Sequence, residues 1–340
     1  MWDGAQYFVD RFDRLFLSVG SLFSLTSLAT ALLIAVVFLV YRRRLKNRPV
    51  RALTILRGLF PRHFVSSPSF HIDLGCFYVN AFAAGLMFGW AILSYKATSN
   101  LVIDGLNTAF GPTTPSGWSI LVVQSTITVL LFLAYEFGYW LDHFLKHRVP
   151  VLWEFHKVHH SANVLTPLTV YRIHPVDAII FNNILVLCTG LTSGIASYAF
   201  GKPASPFTID DANLILVVFF HAVVHLQHTH LWISFRGPLG RLLMSPAHHQ
   251  IHHSNNPIHF DKNLGNCLAV WDWMFGTLHV PSKERENLVF GIEAGQADVH
   301  TLRETWVAPI QRAAELLAAP LVKRRGEREV TAPSQPRSRG

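Results

Sequence analysis

The chain has 340 residues, half of them hydrophobic and only 15% charged, against roughly 25% charged in an average soluble domain. That composition excludes an ordinary soluble domain, and three dispersed cysteines, Cys76, Cys188 and Cys267, exclude a disulfide framework or an iron–sulfur centre. The net charge of +8 is concentrated in two blocks, Tyr41–Arg62 with eight Lys/Arg and no acid, and Leu321–Gly340 with six Lys/Arg and two Glu; beside apolar chain these read as topology signals and lipid anchors, not as a nucleic-acid surface.

Five apolar stretches follow in order. The first, Leu22–Tyr41 ("LFSLTSLATALLIAVVFLVY"), is uncharged and long enough to span a bilayer. It lacks the basic start and cleavage site of a signal peptide, and "RRRLKNR" follows it, so a retained anchor is expected. The second is Leu74–Leu93 and the third Ile120–Trp140, joined by a turn-rich segment containing "GPTTPSG". The fourth, Ala178–Phe200, and the fifth, Ala212–Ile233, read equally well as full spans or as a re-entrant pair. With Arg42–Arg62 cytoplasmic, the loop 94–119 faces out, and segments 141–177 and 234–340 return to the cytoplasm. The tail after about Lys323, rich in Pro, Ser and Arg, is expected to be disordered.

Fourteen of the 19 histidines lie between His143 and His253. They fall into "HFLKH" (His143, His147), "HKVHH" (His156, His159, His160), "HAVVHLQHTH" (His221, His225, His228, His230) and "HHQIHH" (His248, His249, His252, His253). Residues three and four apart share a helix face, so His143 points with His147, His156 with His159 and His160, and His249 with His252 and His253. Imidazoles so arranged chelate metal, each giving one nitrogen and orienting through the other. About ten candidates are too many for one tetrahedral ion; two metals sharing ligands from several helices fit the count better. Lone histidines (His63, His71, His174, His259, His279, His300) read as structural. Imidazole suits iron, zinc, copper and nickel alike, so spacing alone does not name the metal.

The boxes and their flanks resemble the fatty acid hydroxylase/sterol desaturase superfamily. "YEFGYWLDHFLKH", "LGRLLMSPAHHQIHHS" and "DKNLGNCLAVWDWMFGT" carry the likeness, which covers roughly residues 120–290. It implies a membrane-bound, non-haem di-iron oxygenase that uses O2 to hydroxylate or desaturate a C–H bond of a lipid. By motif match the implied ligands are His143, His147, His156, His159, His160, His249, His252 and His253. For the middle box the resemblance points first to His228 and second to His225; His221 and His248 stand as further candidates. Glu136, Asp142, Glu154 and Asp272 are expected to orient imidazole N–H groups.

The expected architecture is therefore an all-α polytopic membrane bundle whose cytoplasmic, histidine-rich cap holds a dinuclear metal site. Residues 1–115 would form the anchor region with its basic linker, 116–290 the catalytic domain, and 291–340 a C-terminal helix and basic tail. No dinucleotide-binding, haem-attachment or ferredoxin-like motif is present, so electrons are expected from a separate cytochrome b5, ferredoxin or flavoprotein, with Arg42–Arg44 as a docking candidate for an acidic donor. A bacterial inner membrane is the expected location and the endoplasmic reticulum the alternative. A zinc hydrolase, a metal transporter and a b-type cytochrome remain as other readings.

Overall fold

The computed structural model describes residues 4–203, 205–292 and 300–330. Four helical stretches are long and apolar enough to cross a membrane: Leu25–Leu45, Pro68–Phe110, Ile120–Arg148 and Pro175–Phe200. Their outward faces carry exposed Leu32, Leu33, Val37, Leu130, Leu187 and Leu191, as expected where lipid, not water, is the solvent. The fifth apolar stretch yields only the short helix Leu214–Gln227, about 21 Å at 1.5 Å per residue and less than the roughly 30 Å of a hydrocarbon core.

Helix α1 (Leu25–Leu45) starts where the Ser24 hydroxyl accepts the Ser27 N–H and ends on Arg42, Arg43 and Arg44, cations that suit the negative end of a helix dipole. The second stretch is broken: α2 (Pro68–Tyr78) passes through irregular turns to Ala91, and α3 (Tyr95–Phe110) restarts on a Ser94 cap. The loop expected over 94–119 is thus helical through Phe110, because α3 has a partner to pack on. That partner is α6 (Pro175–Phe200). A Cβ at Gly190 would lie 2.9 Å from Thr98 Cβ, and one at Gly194 would lie 2.6 Å from Val102 Cβ. This small-xxx-small seam lets two backbones approach where no hydrophobic effect drives them together.

α4 (Ile120–Arg148) runs antiparallel to α6, with Ile127 against Ala196 and Gly138 against Leu185 and Cys188. Its 29 residues make about 43 Å, so its last turns, with His143 and His147, extend past a bilayer core. Val149 then ends α4 and caps α5 (Pro150–His160); proline at the first helical position makes this sharp reversal inexpensive. α7 (Leu214–Phe219) leads through one π-helical turn to His225–Gln227, and the helix stops at His228. α8 (Pro246–His252) carries the last box, and α9 (Val270–Phe275) returns against α4. α10 (Ala308–Val330) braces α5 and runs beyond Lys323, where the unstructured tail was expected to begin. Arg and Glu there are good helix formers, and residues 331–340 lie outside the described residues.

Candidate metal centre

Each box sits on a helix whose start is fixed locally. α8 begins with a reciprocal cap: the Ser245 hydroxyl accepts the His248 N–H, and His248 Nδ1 accepts the Ser245 N–H at 3.1 Å. His249, His252 and His253 then share its inner face, opposite the ends of α4 and α5.

The structure gathers the imidazoles into two adjacent groups. His143, His147, His156, His160 and His252 form one, His159, His228, His249 and His253 the other, and in each the donor atoms lie within 4.8 Å of one another. The groups share a wall, since the His160 and His253 rings are 4.7 Å apart and those of His159 and His160 are 5.6 Å apart.

In the first group all five Nε2 atoms are buried and without a hydrogen-bond partner. Four of the opposite nitrogens are held. His143 Nδ1 donates to the Leu264 carbonyl at 2.7 Å, His252 Nδ1 to the Lys262 carbonyl at 2.8 Å, and His156 Nδ1 to Asp177 Oδ2 at 3.0 Å. His147 Nδ1 lies 3.4 Å from Asp261 Oδ1. An N–H fixed on the outside leaves the lone pair on the inside, the arrangement that metal-binding histidines adopt.

The second group is built differently. His228 Nε2 is 3.3 Å from His159 Nε2 and 2.9 Å from His249 Nε2, which is 3.1 Å from His253 Nε2. Nitrogens placed about 2.0–2.1 Å from one ion at tetrahedral angles lie roughly 3.3 Å apart, so these spacings are those of one coordination sphere. The residues fit a metal in both groups.

Electrostatics agree. Burial, then neighbouring imidazoles, hold His160, His228, His249 and His253 well below the ordinary imidazole value of 6.5. Burial also dominates at His156 and His252, both held well below that value, and at His159, lowered to about 4. The rings are therefore neutral near pH 7, the form that binds metal.

Nine of the ten expected ligands are brought together. His225 is not: its Nε2 donates to the Leu22 carbonyl at 2.7 Å and lies 3.1 Å from Ser27 Oγ. One turn on, the chain leaves helical geometry at His228 (φ −96°, ψ 62°), which turns that ring into the cap and leaves His225 behind. His221 spans Val217 O and Thr26 Oγ1, and His248 Nε2 donates to the Gly240 carbonyl at 3.0 Å; neither joins a group.

The four carboxylates expected to hold imidazole N–H groups do other work. Glu136 accepts the Cys267 and Leu268 N–H groups, both at 2.8 Å. Asp272 accepts the Leu264 and Gly265 N–H groups at 2.9 and 2.7 Å, and so positions the carbonyl that holds His143; burial pushes its carboxyl upward, against hydrogen bonds from Thr277, Leu264 and Gly265. Asp142 pairs with Lys146, which also pairs with Asp177. Glu154 pairs with Lys157 and with Arg312 of α10. Among the described residues, the carboxylates that reach imidazoles of these two groups are Asp177 and Asp261. The hydrogen bond to His147 keeps the Asp261 carboxyl below the usual range. A lone acid opening an apolar span was the available signal for Asp177; nothing local marks Asp261.

Beside the first group is a cavity of about 260 Å³, lined by His147, His160, His252, His253, Trp153 and Phe260. Arg172 is fully buried and ties Val158 O, Ser161 Oγ and Asp73 together, fixing the end of α5 to α2.

Residues 128–277 match the model of the fatty acid hydroxylase family. Among curated proteins, the chain is 33% identical over 159 residues to an alkylglycerol monooxygenase of Xenopus tropicalis, covering 46% of this chain and 31% of the relative. It is 31% identical over 156 residues to the ornithine lipid hydroxylase OlsE of Rhizobium tropici (46% and 42%), and 27% identical over 179 residues to the lathosterol oxidase of Mus musculus (49% and 49%). The chain thus spans about a third to a half of the length of these relatives. No solved structure matches it at a significant level.

Proposed function

We propose, from the match of residues 128–277 to the fatty acid hydroxylase family, that the chain is a membrane-bound oxygenase that hydroxylates a C–H bond of a lipid. The observation that carries this reading is the pair of adjacent imidazole groups, five donors beside four, at the end of α4 and the start of α6 in a chain with four apolar helices. Nine neutral donors in two groups favour two ions, one in each. The ions are taken as iron. An unactivated C–H bond offers neither an acidic proton nor a leaving group, and a redox metal pair supplies the O2 activation that side-chain acids and bases lack.

The chain's own residues hold and shield the site. Asp177, Asp261 and the carbonyls of Leu264 and Lys262 keep the Nδ1 protons of His156, His147, His143 and His252 outward, and burial of the rings excludes water. Trp153 and Phe260 give the adjoining cavity an apolar wall against which a segment of alkyl chain can lie. Hydroxylation is preferred to desaturation, and a polar lipid with a long alkyl chain to a sterol. The relatives at 31–33% identity are by name a monooxygenase acting on alkylglycerol and a hydroxylase acting on ornithine lipid. Electrons would come from a cytochrome b5, ferredoxin or flavoprotein. A cytoplasmic position for the metal cap follows from the positive-inside rule, since His230 Nε2 donates to the Gly58 carbonyl inside the basic segment at 2.6 Å. A bacterial inner membrane is the proposed location, and the endoplasmic reticulum the alternative.

The test is metal content of detergent-purified protein from iron-replete cells, beside a variant carrying His252→Ala and His253→Ala. The expected result is about two irons bound at the boxes and lost in the variant, with O2-dependent oxidation of an alkyl lipid by the parent when reductant is supplied. Box metal retained by the variant, or oxidation that persists without O2, would overturn it.

A further inference from the structure

Outside the nine-imidazole cap, a third set of donors gathers where a strap crosses it. The turn Pro257–His259 follows closely on the last box, and residues 278–290 fold back over that region. The His279 N–H donates to Asn263 Oδ1 at 2.7 Å, Asn263 Nδ2 donates to the His279 carbonyl at 2.9 Å, and the Asn255 N–H donates to the Val289 carbonyl at 2.9 Å. The strap is held further along where Trp232 Nε1 donates to the Ser282 carbonyl at 3.2 Å.

These bonds bring His259, His279 and Glu286 together with donor atoms within 4.8 Å of one another. The His259 and His279 rings are 5.2 Å apart, and His259 Nε2 lies 3.4 Å from Glu286 Oε2. His259 is 2% exposed, yet neither of its ring nitrogens makes a hydrogen bond of good geometry. Buried polar groups are nearly always satisfied, and each exception calls for a cause. Read alone in the sequence, His259 and His279 are structural histidines; their meeting with Glu286 is visible only in the fold.

We propose that His259, His279 and Glu286 form a separate site for a divalent zinc-like cation, with two nitrogen ligands and one carboxylate oxygen. The donor set excludes calcium and magnesium, which take oxygen, and lacks the thiolates that select softer ions. Ligands 2.0–2.2 Å from one ion at tetrahedral angles lie roughly 3.4 Å apart; His259 and Glu286 already meet that spacing, so closure requires only small shifts that bring the half-buried His279 to them. The cation would fasten the strap to the loop that bears Asp261 and Lys262, two of the acceptors that orient His147 and His252. Its role is thus structural, and it is separate from the metals of the boxes.

The experiment is zinc and iron content of the full-length detergent-purified protein, grown with both metals and dialysed against a weak chelator. The variants are a His259→Gln/His279→Gln double, Glu286→Gln alone, and the His252→Ala/His253→Ala box variant. The expected result is one zinc per chain beyond the box metals, lost in the first two variants while box metal is retained, and kept in the box variant. Retained box metal also shows that those variants fold. Should the double variant fail to fold, Glu286→Gln, which keeps the side-chain shape, decides alone. The parent's melting temperature is also expected to rise on adding zinc, and that of Glu286→Gln is not. Equal zinc in parent and Glu286→Gln, or no zinc in the parent beyond what the box variant loses, would overturn the site.

Discussion

The two imidazole groups lie side by side and share ring contacts, yet they are organised by different means. In the first, the outer nitrogens of His143, His147, His156 and His252 are each matched to an acceptor from elsewhere in the fold. In the second, the Nε2 atoms approach one another, and Nδ1 of His159 and of His253 has no partner. One group is aimed by hydrogen bonds, the other by the packing of short helices. The first should therefore respond to the loss of an anchor, and the second chiefly to the loss of a ligand.

The sharpest break is His228→Ala. It removes the one ligand of the second group that no HxxHH box supplies, and turnover should fall by more than about 100-fold. Metal analysis should find one ion lost and one retained; loss of both would mean that the groups do not hold their ions separately. Next is Asp177→Asn, which takes the carboxylate from His156 and from Lys146 together. Affinity of the first group should drop by about 10–100-fold in a chelator competition, with the second unchanged.

A pH series comes third. His159 and His248 are both lowered to about 4 from 6.5 by burial. The unfolded chain therefore binds protons between those values that the folded chain does not. The stability that these two rings contribute to the metal-free protein should be constant above about pH 6.5 and be lost progressively toward pH 4, as thermal unfolding of the parent beside a His248→Gln variant would record. A melting temperature that rises on acidification would contradict the neutral, buried state of these rings. The smallest effect is expected of Asp261→Asn, whose carboxylate is 31% exposed: a loss of less than about 10-fold in first-group affinity, detectable in the same competition.

The ligand boxes were legible in the sequence because they are local. His156, His159 and His160 need only a helix to face one way, and the i, i+3, i+4 spacing supplies it. The anchors were not legible because they are contributed by distant chain: the Leu264 carbonyl reaches His143 across 121 positions. Which of His225 and His228 joins the other imidazoles turns on where one short helix unwinds, which is set by its packing against α1 and α8 and not by its own residues. The helix Tyr95–Phe110 was missed for the same reason: it lies between two apolar stretches and reads as a connection until Gly190 and Gly194, far along the chain, offer a groove to fill.

A single residue, Val149, closes α4 and opens α5, so the corner between the first two boxes has no slack. Each residue of a helix advances its neighbours by about 100°. One residue added at this corner could not be absorbed as loop; it would swing His156 and His160 away from His143 and His147, and His159 away from His228, His249 and His253. The length of the corner is thus itself a component of the metal centre, as much as any nitrogen in it, and it can be lost by insertion with every ligand still present.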